Sequence, residues 1–402
     1  MPMALPALTI WQAIAAPVHA ASIRLAAETN AGDVAAVARL RKVCPDAEVV
    51  RAALMLAEAR RKAVGKFGAA RAAGLWADPQ GVEMASAWAA GRYKAGRIAR
   101  AVGTGARVLD LCCGIGGDSM AMVEAGLNVA PVDVDPARAW MAGRNAGVGS
   151  VCADVAEFDG EGAAVHIDPA RRSESGSRSW RMDDLRPGVD VVTRLIERSG
   201  GGAVKLGPGV DAADVPEAWS AGGMELEYLS EAGRLTQAVA WTGRLSGREG
   251  IGRAATLLVG GESITLRGEG GDAPLGNVGR FVYEPDDSVE RAGLLAELCR
   301  KVNAHMPHAR VGLLSAETLI DSPWLSGFEV LANMPWHERR VKAALDERGA
   351  GIVEVKTRGK AVNPDQLQMS LRGSGDVPLV VFAQRFDRDL RAIIARRVPR
   401  TS

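Results

Sequence analysis

The stretch that most constrains this chain is residues 107–136, R-V-L-D-L-C-C-G-I-G-G-D-S-M-A-M-V-E-A-G-L-N-V-A-P-V-D-V-D-P. Val108, Leu109, Asp110 and Leu111 make a short apolar run of the buried-strand kind. Gly114, Gly116 and Gly117 form a turn behind it. Asp118 and Ser119 then open an amphipathic segment, 120–125, that Gly126 closes as a helix C-cap. A second apolar run, 129–132, ends in Asp133. Strand, glycine turn, helix, strand and acid in that order specify two parallel strands joined by a helical crossover. The glycines let backbone N–H groups approach a ligand at the helix start, and an acid after the second strand suits ribose hydroxyls.

Two cofactors fit such a unit. A dinucleotide places its pyrophosphate on the helix dipole, usually over G-x-G-x-x-G. Here Asp110 precedes the glycines at the strand end, where it repels a pyrophosphate and attracts an ammonium. That favours S-adenosylmethionine, which carries an amino acid and no phosphate. The stretch closely resembles motifs I and II of the class I S-adenosylmethionine-dependent methyltransferases.

Alternation of elements continues after Asp133. A helix is expected over 136–146, a third strand at 150–153 ending in Asp154, and a fourth at 163–167 ending in D-P-A-R-R, Asp168 to Arg172. A polar loop, 173–183, contains Trp180; a helix over 185–198 and a fifth strand over 203–206 follow. Alternating β and α elements imply a parallel sheet with right-handed crossovers, which runs 225–229 and 238–241 close as an antiparallel pair. Further strands are expected at 256–259 and 264–266. The expected fold is therefore α/β: a Rossmann-like class I methyltransferase sheet, 106–270, behind an Ala- and Arg-rich helical region, 1–105, and ahead of a small α/β module, 280–402. In that module helices are expected over 289–302, 336–348 and 366–371, and strands over 352–355 and 379–383, the last in the chain.

With 47% hydrophobic and 24% charged residues, the chain is of the soluble globular class with ample core. No apolar run reaches the roughly 20 residues of a membrane helix. The apolar residues 1–21 lack a positive leading segment and read as a helix rather than a signal peptide. Cys44, Cys112, Cys113, Cys152 and Cys299 make no C-x-x-C pair and no metal spacing, so reduced thiols, a cytoplasmic setting and no metal are expected. The net charge of +1 does not announce nucleic acid. Local clusters are more informative: Arg60, Arg61, Lys62, Lys66 and Arg71; Arg92, Lys94, Arg97 and Arg100; Arg171 and Arg172; and, near the C-terminus, Arg339, Arg340, Lys342, Lys356, Arg358 and Lys360.

The resemblance implies roles for particular residues. Asp110, with the backbone of Gly114 and Gly116, holds the methionine end. Asp133 binds the ribose diol, and Asp154 reaches the adenine amino group. Cys112, inside the glycine turn, is counted with these cofactor-binding residues, its side chain read as small packing. Asp168, Pro169 and Arg171 are the expected catalytic residues. D-P-A-R resembles the D/N-P-P-Y/F/W motif of amino-methylating enzymes, with Ala170 for the second proline and Arg171 for the aromatic. A D-P-P-R form occurs in uracil-C5 methyltransferases, but those need a downstream nucleophilic cysteine, and none lies between Cys152 and Cys299. The glycine turn and V-D-V-D-P are similar to the RNA cap and tRNA guanine-N2 branch. The ordered set D-L-C-C-G-I-G-G-D, I-D-P-A-R-R, V-K-L-G-P-G, Y-E-P-D and E-V-K-T-R-G resembles a bacterial family of class I methyltransferases that ends in a THUMP-like domain, over roughly residues 61–385. By analogy with true THUMP domains the implied partner is RNA, held by the basic clusters. A small-molecule or protein acceptor, or a non-catalytic cofactor-binding protein, are the alternatives.

Overall fold

The apolar run at 108–111 forms β1 (Arg107–Leu111), buried from Val108 onward. Parallel strands flank it on both sides: β2 (Asn128–Asp133) and β4 (Ala164–Ile167), with β3 (Val151–Cys152) beyond β2. The structure, a computed structural model, describes residues 6–29, 34–171, 182–358 and 362–399. Strand Gly202–Leu206 runs parallel to β4, and strand Arg234–Thr242 lies antiparallel to it. From one edge the strands are Glu262–Gly268, Ile251–Val259, Met224–Glu231, Arg234–Thr242, Gly202–Leu206, β4, β1, β2 and β3. The chain leaves β1 toward β2 and β3, then returns across β1 to β4. The switch point between β1 and β4, at their carboxyl ends, is where open α/β sheets bind ligands.

By contacts the chain divides into two units, Met1–Leu226 with Gln237–Ile251, and Glu227–Thr236 with Gly252–Ser402. The helices before residue 105 thus belong to the unit of the glycine turn. Asp46 starts the longest, Ala47–Phe67, by accepting from the N–H groups of Glu48 and Val49 at 2.9 and 3.2 Å. Its Val49, Ala53, Leu56 and Ala63 face a core that takes in Trp11, Ile14 and Leu40, and also Ile115 of the glycine turn and Met141 of helix Pro136–Ala146.

The second unit holds a six-stranded sheet, in the order Leu314–Ala316, Phe281–Pro285, Leu325–Pro335, Asp389–Arg397, Val377–Phe386 and Ala350–Thr357. Helix Pro364–Leu371 crosses between the last two, which are parallel; the other neighbouring pairs are antiparallel. Strands 281–285, 314–316, 325–335 and 389–397 were not expected from the sequence, and 389–397, not 379–383, is the last. Successive residues alternate between two cores: Leu379 and Val381 face one, Val380 and Phe382 the other, as do Ile394 and Ile393. A strand covered on both faces reads as a continuous apolar run, with no period to find.

Phe382 is fully buried, edge-on to Phe328 at 4.9 Å between ring centroids. Phe382→Ala is expected to destabilise this unit by about 3–5 kcal/mol. Denaturation of the full chain, read by hydrogen exchange of amides in 377–397, measures it; exchange unchanged from wild type contradicts the two-core packing.

Candidate active site

The glycine turn is shaped by backbone constraints. A Cβ at Gly116, whose φ is +78°, would lie 2.7 Å from the Ala142 Cα, so only glycine permits the approach of helix 136–146. Cys112 takes a positive φ of 57° without being glycine. A Cβ at Gly114 would meet nothing within 4 Å, so the turn is open on that side. Asp133 accepts from the N–H groups of Gly114 at 2.8 Å and Asp135 at 2.9 Å. Burial outweighs these two bonds and holds its carboxyl above the ordinary value.

The expected acids converge. Burial pushes the Cys112 thiol far up, and the charges of Asp133, Asp168, Asp110 and Asp154 push it further. A thiol that feels all four carboxylates reports a negative turn, suited to a cationic ligand and hostile to a pyrophosphate. The four do not share one role. Asp154 is exposed and caps a short turn through the Ala156 N–H at 2.9 Å. Asp110 is 1% exposed and turns both oxygens inward, Oδ1 to His166 Nδ1 at 2.7 Å and Oδ2 to the Ser119 hydroxyl. Asp168 ends β4, its N–H donating to the Leu111 carbonyl at 3.1 Å. Ala170–Arg171 pairs with Leu185–Arg186 in a short ladder beyond Asp168 and Pro169. The Arg171 side chain, Arg172 and Trp180 lie outside the described residues.

Sequence reading missed the groups behind this turn. Lys94, on helix Trp88–Val102 and 1% exposed, donates to Asp118 Oδ2 at 2.8 Å and to the Ser86 hydroxyl at 3.1 Å, and lies 3.1 Å from His166 Nε2. An ammonium has only donors, so Nε2 accepts and the imidazole is the neutral Nδ1–H form, donating to Asp110. Burial would raise the Asp118 carboxyl, but the ammonium groups of Lys94 and then Lys205 overcome it and hold the group well below the usual carboxylate range. Lys205, of the noted V-K-L-G-P-G, donates to Asp168 Oδ2 at 2.6 Å and to the Met84 carbonyl at 3.2 Å. Burial would lower its pKa; Asp168 and then Asp118 outweigh burial and raise it. Asp168 is therefore an acceptor fixed in place by an ion pair. A histidine inside the apolar run A-V-H-I and a lysine inside V-K-L were the available signals.

The basic clusters are correspondingly depleted. Lys94 is interior, and Arg97 pairs with Glu225 at 2.5 Å and stacks over Trp241. Lys62 pairs with Glu83, Lys66 donates to the carbonyls of Val82, Glu83 and Ala85, and Arg71 pairs with Glu124. In the second unit Lys356 meets Glu284 and Glu354, and Arg358 meets Glu290. Among the described residues no group of His, Cys, Asp and Glu is placed to hold a metal, and no helix is long and apolar enough to cross a membrane.

Removing one partner of a buried pair strands the other, so Lys94→Met is expected to cost about 3–5 kcal/mol near neutral pH. A carboxyl whose folded pKa is depressed contributes stability present above its unfolded value, about 3.9, and lost as pH falls below it. The gap between wild type and Lys94→Met should therefore narrow as pH falls from about 5 to 3. Urea titrations across that range decide it; a constant gap contradicts the charge pairing.

Residues 325–397 match the family described as THUMP domain-like. Over the whole chain, the fold is similar to a crystal structure from Porphyromonas gingivalis W83, whose protein is named provisionally as a methyltransferase, with a TM-score of 0.69, 17% identity and 98% of each chain covered. In sequence the chain is 33% identical over 338 residues to a Mycobacterium tuberculosis protein named an uncharacterized S-adenosylmethionine-dependent methyltransferase, in strains H37Rv and CDC 1551. That match spans 81% of this chain and 90% of the relative. With a glycine turn between β1 and its helix, acids at the strand ends and a relative matched over nearly its whole length, the chain belongs to the S-adenosylmethionine-dependent methyltransferases.

Proposed function

We propose that the protein methylates an amino nitrogen of an RNA base, in tRNA or rRNA. The observation that carries the amino acceptor is the Asp168–Lys205 pair, a carboxylate fixed by an ion pair beside the cofactor turn. Such a group accepts from an N–H and offers nothing to a carbonyl. Asp168 orients the amine by one N–H, and the Pro169 carbonyl is a second acceptor beside it. The RNA reading is supported by the THUMP domain-like match at 325–397.

The residues present fit S-adenosylmethionine: the turn is negative, open at Gly114, and carries Asp133 at the end of β2. Asp133 is the residue for the ribose hydroxyls, the backbone from Cys112 to Gly116 lines the methionine end, and Asp154 is assigned to the adenine side. Asp110 works from behind, anchoring Ser119 and His166. Bound in this way, the cofactor supplies a methyl already activated on a sulfonium. The protein's task is then alignment rather than acid–base chemistry, since orientation alone lowers such barriers by several kcal/mol. Arg171 is assigned to the acceptor, as a phosphate or base contact. The internal pairing of Lys62, Lys66, Arg71 and Arg97 favours a second reading, a small-molecule or protein acceptor.

Asp133→Ala is expected to lose about 1.5–3 kcal/mol of cofactor affinity by calorimetry. Asp168→Ala should bind cofactor nearly as wild type yet transfer no methyl. Both are tested with methyl-labelled cofactor and RNA, protein and small-molecule fractions of a strain lacking the gene. Nucleoside mass spectrometry then identifies the base. Label confined to the protein or small-molecule fraction overturns the RNA reading, and full transfer by Asp168→Ala removes that acid from the site.

A further inference from the structure

Two guanidiniums share one aromatic neighbour. Among the described residues neither Arg60 nor Arg144 meets a carboxylate. Both attend one indole: the Cζ of Arg144 lies 5.3 Å from the Trp76 ring centroid, and that of Arg60 lies 5.8 Å from it. Arg144 is also 5.3 Å from Trp140, whose ring meets Trp76 edge-on at 5.3 Å. Arg60 spends its Nε–H on the Leu75 carbonyl at 3.0 Å, and burial lowers its pKa, the mark of a cation without a counter-charge. A guanidinium resting on an aromatic face keeps its in-plane donors free for a planar or tetrahedral anion.

Of these groups Trp76 and Arg144 line a cavity of about 610 Å³, together with Arg71, Met120, Glu124 and Asn145 among others, while Arg60 lines a separate hollow. Glu124 is the acid there, and Arg71 pairs with it at 3.1 Å, leaving Arg144 in excess. Asn145 fixes the wall: it accepts from the Trp76 N–H and donates to the Trp76 carbonyl, each at 2.8 Å. It also donates to the Ile115 carbonyl at 2.8 Å, inside the glycine turn. The cavity is therefore one side chain from the cofactor turn, on the flank of the same helix, Gly117–Glu124.

We propose that this cavity is a second contact for single-stranded RNA, taking a backbone phosphate on Arg144 and a base against Trp76. A guanidinium that meets no carboxylate, set beside an indole, matches the two things a single strand offers: charge along the backbone and a π-face on each base. The site rests on the RNA reading above.

The test uses the full chain and a short labelled oligouridylate, titrated between about 50 and 200 mM salt. Arg144→Ala is expected to weaken binding several-fold and to flatten the log–log salt slope by about 0.7, one phosphate of a single strand. Trp76→Leu should weaken binding roughly tenfold with the slope unchanged, since stacking releases no counterions. Cofactor affinity and melting temperature should stay at wild-type values in Arg144→Ala, whose side chain is exposed. Wild-type RNA affinity and slope in Arg144→Ala overturn the cavity and leave the RNA acceptor standing. Failure of the wild-type protein to bind the oligonucleotide at low salt overturns both. Competition by uridine monophosphate as strong as by the oligonucleotide also overturns the RNA contact, in favour of a free-nucleotide site.

Discussion

The first unit depends on one buried hydrogen-bonded chain: Lys94 to Asp118 and His166, and His166 to Asp110. Each ion alone in that interior would cost several kcal/mol, so each is tolerable only with the others in place. The chain runs from a helix that precedes the sheet, through β4, to β1 and the helix after the glycine turn. It therefore makes the leading helices part of the catalytic unit. The core agrees, because Ile115 of the turn packs with Leu56 and Trp11 of those helices.

That layer also explains how Asp110, Asp118, Asp133 and Asp168 coexist around one turn. Asp118 is neutralised by Lys94 and Asp168 by Lys205, while Asp110 is satisfied by a neutral imidazole and a hydroxyl. Asp133 takes two backbone N–H groups. The turn stays negative enough to favour a cation, without the repulsion that four unpaired carboxylates would bring. The result is a preorganised site: partners that would otherwise reorganise during the reaction are already fixed.

Much of this was legible in the chain. The strand–glycine–helix–strand–acid order of 107–133, read with Asp110 ahead of the glycines, was enough for the fold class and cofactor. The boundaries of β1, β2 and β4 fell within a residue or two of expectation. Of the six strands in the C-terminal sheet only two, 350–357 and 377–386, were legible; in the missed 389–397, Ile393 and Ile394 face opposite cores, which removes the alternation that marks a strand. The basic clusters were harder to read for a different reason: sequence records that a side chain is charged, not whether a carboxylate more than a hundred residues away, such as Glu225 for Arg97, has come to meet it.

By itself, then, the sequence determined what is local: a βαβ crossover with its glycines and terminal acids, set by backbone sterics and by short-range periodicity. Only the tertiary structure decided what is non-local. It turned Asp110 inward, made His166 a neutral tautomer, placed Lys205 against Asp168 and buried Lys94 beneath the turn. The physical reason is that a side chain's charge state and hydrogen bonds are set by what surrounds it in space, and residues such as 94, 118 and 166 become neighbours only when the helices close on the sheet.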